Sequence, residues 1–249
     1  NDFHKSFKYF YITDRTHYRD VLNLSIKFRK KTSSKVPRSL KLAALFHDIE
    51  RYSSATAFES LSYLSAYHDK IRKKFLHPKN TISFLNALFQ NLDKSIFSED
   101  KTFRADFSKA KELILHHDTP LNRTAEKQIA TLFKSKKNGV VLEGIKKKDP
   151  LFEEVKTLIT ADSMAFFRHT YPFFILYMKG KTKENWEKVT LDRLSLSLRK
   201  VPKELHKEVK IHIDSAIRDF LNYPDSTIVI EKNKKMIYEV TKKFKKTLP

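Results

Sequence analysis

Only three of the 249 residues are glycine, and this scarcity removes many folds at once. Tight β-hairpins, glycine-rich phosphate loops and the turns of dinucleotide-binding folds need residues that accept positive φ. A chain with three glycines cannot supply them repeatedly. Hydrophobic residues make up 40% of the sequence, with 20 Phe and 10 Tyr, enough to bury a substantial core and to exclude a disordered basic tail. The fold class expected is therefore all-α, a helical bundle.

Helical periodicity supports that expectation along the chain. His17, Val21, Leu24 and Phe28 form one apolar stripe, with Asp14 upstream as the expected N-cap. The break at Ser33, Ser34 and Pro37 precedes the nearly continuous apolar segment Leu40 to Ile49, which has too little β-branching for a strand and reads as a buried helix. Further helices are expected over 55–67, about 80–92, around Phe107 to His117, over 122–133 and over 153–167. Beyond residue 170 the character shifts, with helices expected from Trp186 to Val201, from Leu205 to Phe220 and, basic and amphipathic, from Lys232 to Lys246. The organisation expected is a core over residues 1–170 and a helical extension over 171–249, packed on that core as one domain.

The absence of cysteine excludes disulfides, thiolate nucleophiles and Cys-type zinc sites. The lack of cysteine fits a reducing compartment, so a cytoplasmic location is expected. The longest near-apolar run, Tyr171 to Met178, is too short to span a bilayer. No signal peptide is visible, although a chain that begins at Asn1 and not Met can have lost a leader. The net charge of +21 points to nucleic acid, an anionic membrane face or a phosphorylated substrate. A solvated, lysine-rich surface accounts for it equally well.

The chemistry begins at His47-Asp48. A helix as apolar as Ala43 to Ile49 does not end in two adjacent polar groups unless something satisfies them, because an unpaired buried carboxylate costs several kcal/mol. A divalent cation is one solution, since imidazole and carboxylate both ligate first-row metals. Other apolar helices carry metal-capable side chains of the same kind. His17 lies on the first stripe, His77 precedes Pro78 at a helix start, and His116-His117 closes Leu113-Ile114-Leu115. Asp162 interrupts the apolar run Leu158 to Phe167.

This order of residues resembles the HD-domain metal-dependent phosphohydrolase superfamily, whose signature is His, then His-Asp, then a distant Asp on separate helices. The segments that carry the resemblance are Thr16-His17-Tyr18-Arg19, Phe46-His47-Asp48-Ile49 and Thr160-Ala161-Asp162-Ser163-Met164, and it spans residues 14 to 168. It implies that His17, His47, Asp48 and Asp162 hold one metal. Two-metal members place two more histidines between the doublet and the last Asp, and His77 and His116 match them, with Asp48 bridging two divalent ions. Two branches of the superfamily do not match. The Gly-Tyr-Pro motif of the cyclic-dinucleotide phosphodiesterases is replaced by Asp118-Thr119-Pro120, and Glu50-Arg51 stands where the alarmone hydrolases carry Glu-Asp.

The activity implied is hydrolysis of a phosphate ester, a nucleotide or other small phosphorylated compound, by a metal-activated water. Asp48 is the central catalytic residue. His117 serves as general acid, as a phosphate-binding group or as a support residue. Arg51, three residues after Asp48, is the leading candidate for a phosphate-binding fork, ahead of Arg123 and Arg168. The same ligand order suits a di-iron oxygenase that cleaves a carbon bond, and a non-catalytic binding module for nucleic acid is the third alternative.

Overall fold

The computed structural model describes residues 2–49, 81–86, 101–117, 149–181, 185–224 and 226–248. Every regular element among them is helical, as the glycine scarcity and the 3.6-residue periodicity predict. The α-helices are α1 (Asp2–Thr32), α2 (Arg38–Phe46), α3 (Lys101–His116), α4 (Phe152–Ala165), α5 (Tyr171–Lys181), α6 (Trp186–Arg199), α7 (His206–Leu221) and α8 (Glu231–Lys245). Residues 81–86 are also helical. The helices expected over 55–67 and 122–133 lie outside the described residues. Among the described residues no helix is long and apolar enough to cross a membrane.

The first helix begins well before its expected cap. Asp14 lies inside α1, not at its start. Phe3, Phe7 and Phe10 continue the helical spacing upstream of His17, so the period outweighs one capping-type residue. Lys-rich residues Arg29 to Lys31 close the helix, where cations suit the negative end of its dipole.

The chain groups into two compact units, Asn1–Leu24 with Thr160–Pro249, and Ser25–Ile159. In the second unit α2 packs on α3, burying Leu40, Ala43 and Ala44 of one helix and Ala110, Leu113 and Ile114 of the other. Pro37, with φ −58° and ψ 140°, holds the extended residue from which α2 starts. Arg38 then lies over the Phe103 ring, 5.1 Å from its centroid. The buried carboxylate of Glu154 pairs with Arg29 at 3.7 Å and Lys109 at 3.9 Å, so its charge is compensated from two helices.

In the first unit α5 is buried nearly all round, through Tyr171, Phe173, Ile175, Leu176 and Met178, and contacts α6, α7 and α8. The run that is too short for a bilayer is thus a central core helix. Phe167, Tyr171 and Phe244 form an aromatic cluster, with Phe167 and Phe244 stacked at 5.8 Å, and Phe173 meets Phe220 edge-on at 5.4 Å. Truncating such a ring to alanine costs about 3–5 kcal/mol. Burial pushes the Tyr171 phenol well above its usual range, and its hydroxyl donates to Thr241 Oγ1 at 3.2 Å.

Residue 170, where the sequence character changes, falls in an unbroken helical path from Phe152 to Lys181. The path widens to a π-helix over Phe166–Thr170, which ends two residues before Pro172. Proline has no N–H to bond the carbonyl of Arg168, and its ring crowds that carbonyl, so a wider turn relieves both problems.

Candidate metal centre

The end of α2 carries the doublet. α2 closes at Phe46, and His47 and Asp48 follow as a turn, both buried. His47 Nδ1 lies 2.9 Å from the Ala44 carbonyl oxygen. A carbonyl can only accept, so Nδ1 carries the proton, and in the neutral ring the lone pair sits on Nε2. The His47 carbonyl accepts from Thr81 Oγ1 at 3.2 Å, which satisfies one of the helix-end acceptors and fixes the turn. Thr81 is itself fully buried.

The end of α3 repeats this arrangement. His117 leaves the helix in a turn, is buried, and places Nδ1 2.6 Å from the Ile114 carbonyl oxygen. Its Nε2 lies 3.8 Å from Asp48 Oδ1, while His47 Nε2 lies 3.7 Å from Asp48 Oδ2. The two imidazoles meet edge to face at 5.4 Å. Asp48 thus has one imidazole beside each carboxylate oxygen, and both rings are oriented by main-chain carbonyls, the usual support for a metal-ligating histidine.

On α1, buried His17 meets Asp162 of α4, Nε2 to Oδ1, at 2.9 Å. Three residues along the same face, the buried carboxylate of Asp20 takes His169 Nε2 at 2.5 Å and Arg168 Nη1 at 3.5 Å. Burial by itself raises the Asp20 carboxyl. The hydrogen bond from His169, with the charges of His169, Arg168 and Arg19, outweighs burial and holds it below the ordinary aspartate value. Both partners of Asp20, Arg168 and His169, come from the π-helix.

His17, His47 and Asp48 form a buried group whose ligand atoms lie within 4.8 Å of one another. Two imidazoles and a carboxylate, shielded from water, suit a first-row divalent ion, and the anchored Nδ1 of His47 leaves the correct nitrogen as donor. The donors present fit a metal.

No protein family, curated protein or solved structure matches the chain. What the described residues show is a helical fold with a buried His/Asp group that can hold a metal ion.

The other residues singled out in the sequence divide as follows. Asp162 is half-buried and bonded to His17. His116 is the last residue of α3 and half-buried, and of the adjacent pair it is His117 whose Nε2 stands beside Asp48. Arg168 is engaged with Asp20. His77, Arg51 and Arg123 lie outside the described residues. His206 and His212 have local roles, at the Val201 carbonyl and beside Glu208. Sequence reasoning missed Asp20, His169 and Thr81. A signal for the first two existed, because Asp20 follows His17 by three residues and His169 follows Asp162 by seven, both same-face steps on a helix. Thr81 left none.

Proposed function

We propose that the protein is a metal-dependent hydrolase of phosphate esters, with His17, His47, Asp48 and Asp162 holding a divalent ion. The observation that carries this reading is the buried group of His17, His47 and Asp48, with ligand atoms within 4.8 Å of one another. The resemblance of the His, His-Asp, Asp order to the HD-domain superfamily supplies the reaction class, and a nucleotide or other small phosphorylated compound is the substrate class. When bound, a divalent ion supplies Lewis acidity, which brings water within reach of deprotonation at neutral pH and offsets charge on a phosphoryl group.

The chain's own residues set the remaining requirements. His47 donates from Nε2 because Ala44 holds the proton on Nδ1. If two ions are held, Asp48 would be shared between them, with His77 and His116 assigned to the second by the family resemblance. His117 Nε2, beside Asp48, receives or returns a proton during turnover. Arg51 is the leading guanidinium candidate for substrate phosphate, with Arg123 after it, since Arg168 is engaged with Asp20.

The test is metal analysis of the purified protein, followed by assay against nucleotides and simple phosphate esters with added Mn, Co, Ni, Mg or Fe. The expected result is tightly held divalent metal and metal-stimulated phosphate release. Asp48→Ala should remove the metal and lower turnover roughly a thousandfold, equivalent to several kcal/mol of transition-state stabilisation. A di-iron centre that consumes oxygen without releasing phosphate would overturn the hydrolase in favour of an oxygenase. Protein that binds no divalent metal would overturn both.

A further inference from the structure

The C-terminal helix holds many lysines on one amphipathic frame. In α8 the apolar positions Ile237, Val240 and Phe244 are buried, so the helix spends its hydrophobic face on the protein core and turns its lysines outward. Several are neutralised nearby, Lys234 by Glu231, Lys243 by Glu187 and Lys245 by Asp214 of α7. Lys242 and Lys246 are not in any ion pair among the described residues, and neither is Arg218 of α7. These three cations converge on one groove of about 810 Å³ between α7 and α8, whose other lining residues include Asp214, Lys245, Thr241 and Tyr238. The groove therefore contains four cations and one carboxylate.

We propose that this groove binds single-stranded nucleic acid. Convergent cations without partners repel one another, and a polyanion relieves that repulsion while releasing its own counterions. Lys242 and Lys246 stand one helical turn apart, about 6 Å along the axis, so they can meet successive phosphates. Tyr238 lies on the same groove with 50% of its surface exposed. An exposed aromatic ring beside cations is a platform for an unpaired base. Bases in a duplex are already stacked, so this feature favours a single strand. A membrane surface is the poorer fit, because an interfacial helix binds lipid through its apolar face and that of α8 is buried.

The experiment measures fluorescence anisotropy of a labelled oligothymidylate of about 20 nucleotides, longer than one groove needs, with the full chain over a range of salt. The wild-type protein should bind, with log affinity falling linearly as log salt rises. The exposed-site variant Arg218→Gln/Lys242→Gln/Lys246→Gln should flatten that slope by about 2, since each lost phosphate contact removes about 0.7 on a single strand. Tyr238→Ala should weaken binding roughly tenfold and leave the slope unchanged. Circular dichroism should show both variants folded, because the four side chains point away from the core. A control, Lys30→Gln/Lys35→Gln/Lys41→Gln, alters three other exposed lysines and should change the slope little. An equal effect of the control would make the binding a property of overall charge and overturn the proposal. So would absence of oligonucleotide binding, or groove-dependent binding confined to phosphatidylserine vesicles.

Discussion

His17 and Asp162 are separated by 145 positions in the chain and meet at 2.9 Å, imidazole Nε2 to carboxylate Oδ1. Neither residue is explained by its own helix. His17 interrupts the apolar stripe of α1, and Asp162 interrupts the apolar run of α4. The pairing compensates both, and it places an anion directly on a histidine whose ligand atom is within reach of His47 and Asp48.

Asp162→Asn keeps the shape of the side chain and removes its charge. It should weaken divalent-metal affinity by about 10- to 100-fold, the usual effect of losing a carboxylate that ligates or orients at a metal site. Titration calorimetry with Mn²⁺ measures this directly. Unchanged affinity would leave Asp162 a structural partner of His17 and nothing more.

The two adjacent histidines that end α3 give a discriminating pair. His117→Ala removes the imidazole 3.8 Å from Asp48, whereas His116→Ala removes its half-buried neighbour. If the site holds one ion, His117→Ala should be the more damaging to turnover, by roughly 100-fold or more for loss of a proton-transfer group. If His116 ligates a second ion, His116→Ala should lower metal stoichiometry by about half, while His117→Ala leaves it intact. Metal content and turnover measured side by side on both variants separate these outcomes.

Thr81 acts at one remove. Its hydroxyl donates to the His47 carbonyl at 3.2 Å from a fully buried position. Thr81→Val keeps the volume and should cost about 1 kcal/mol of stability, read from urea unfolding. The freed carbonyl loosens the turn that aims His47, so metal affinity should fall by several-fold as well. A stability change with unaltered metal binding would show that the turn holds His47 without this bond.

Asp20 supplies a pH signature. Its carboxyl is held below the ordinary aspartate value of 3.8 by His169, Arg168 and Arg19 against the opposing effect of burial. A lowered folded pKa means that the stabilisation is fully present above the unfolded value and is lost as pH falls through the folded one. Asp20→Asn should therefore cost about 2 kcal/mol at neutral pH, through loss of charge-assisted bonds to His169 and Arg168. The gap between wild type and variant should narrow as pH falls below about 5 and close below pH 4, where the Asp20 carboxyl itself takes up its proton. A gap that persists undiminished in that acid range would contradict the assignment.

The sequence by itself determined the helical class. Three glycines leave few positions for positive φ, and apolar residues recurring at three and four positions can bury one face only in a helix, so both constraints are local. It also exposed His47-Asp48 as an anomaly, because two polar groups at the end of an apolar helix need compensation wherever that helix packs. Tertiary structure alone decided which groups supply that compensation. By period His117 continues the stripe of Phe107, Ala110 and Ile114, whereas the family resemblance points to its neighbour His116, so the sequence left the choice between them open. Only the exit of the chain into a turn at His117, fixed by the Ile114 carbonyl, turns that ring towards Asp48. The same is true of Thr81 with His47 and of Asp20 with His169. Each is a contact between distant segments, and side-chain periodicity carries information about a residue's own helix but none about the partner across from it.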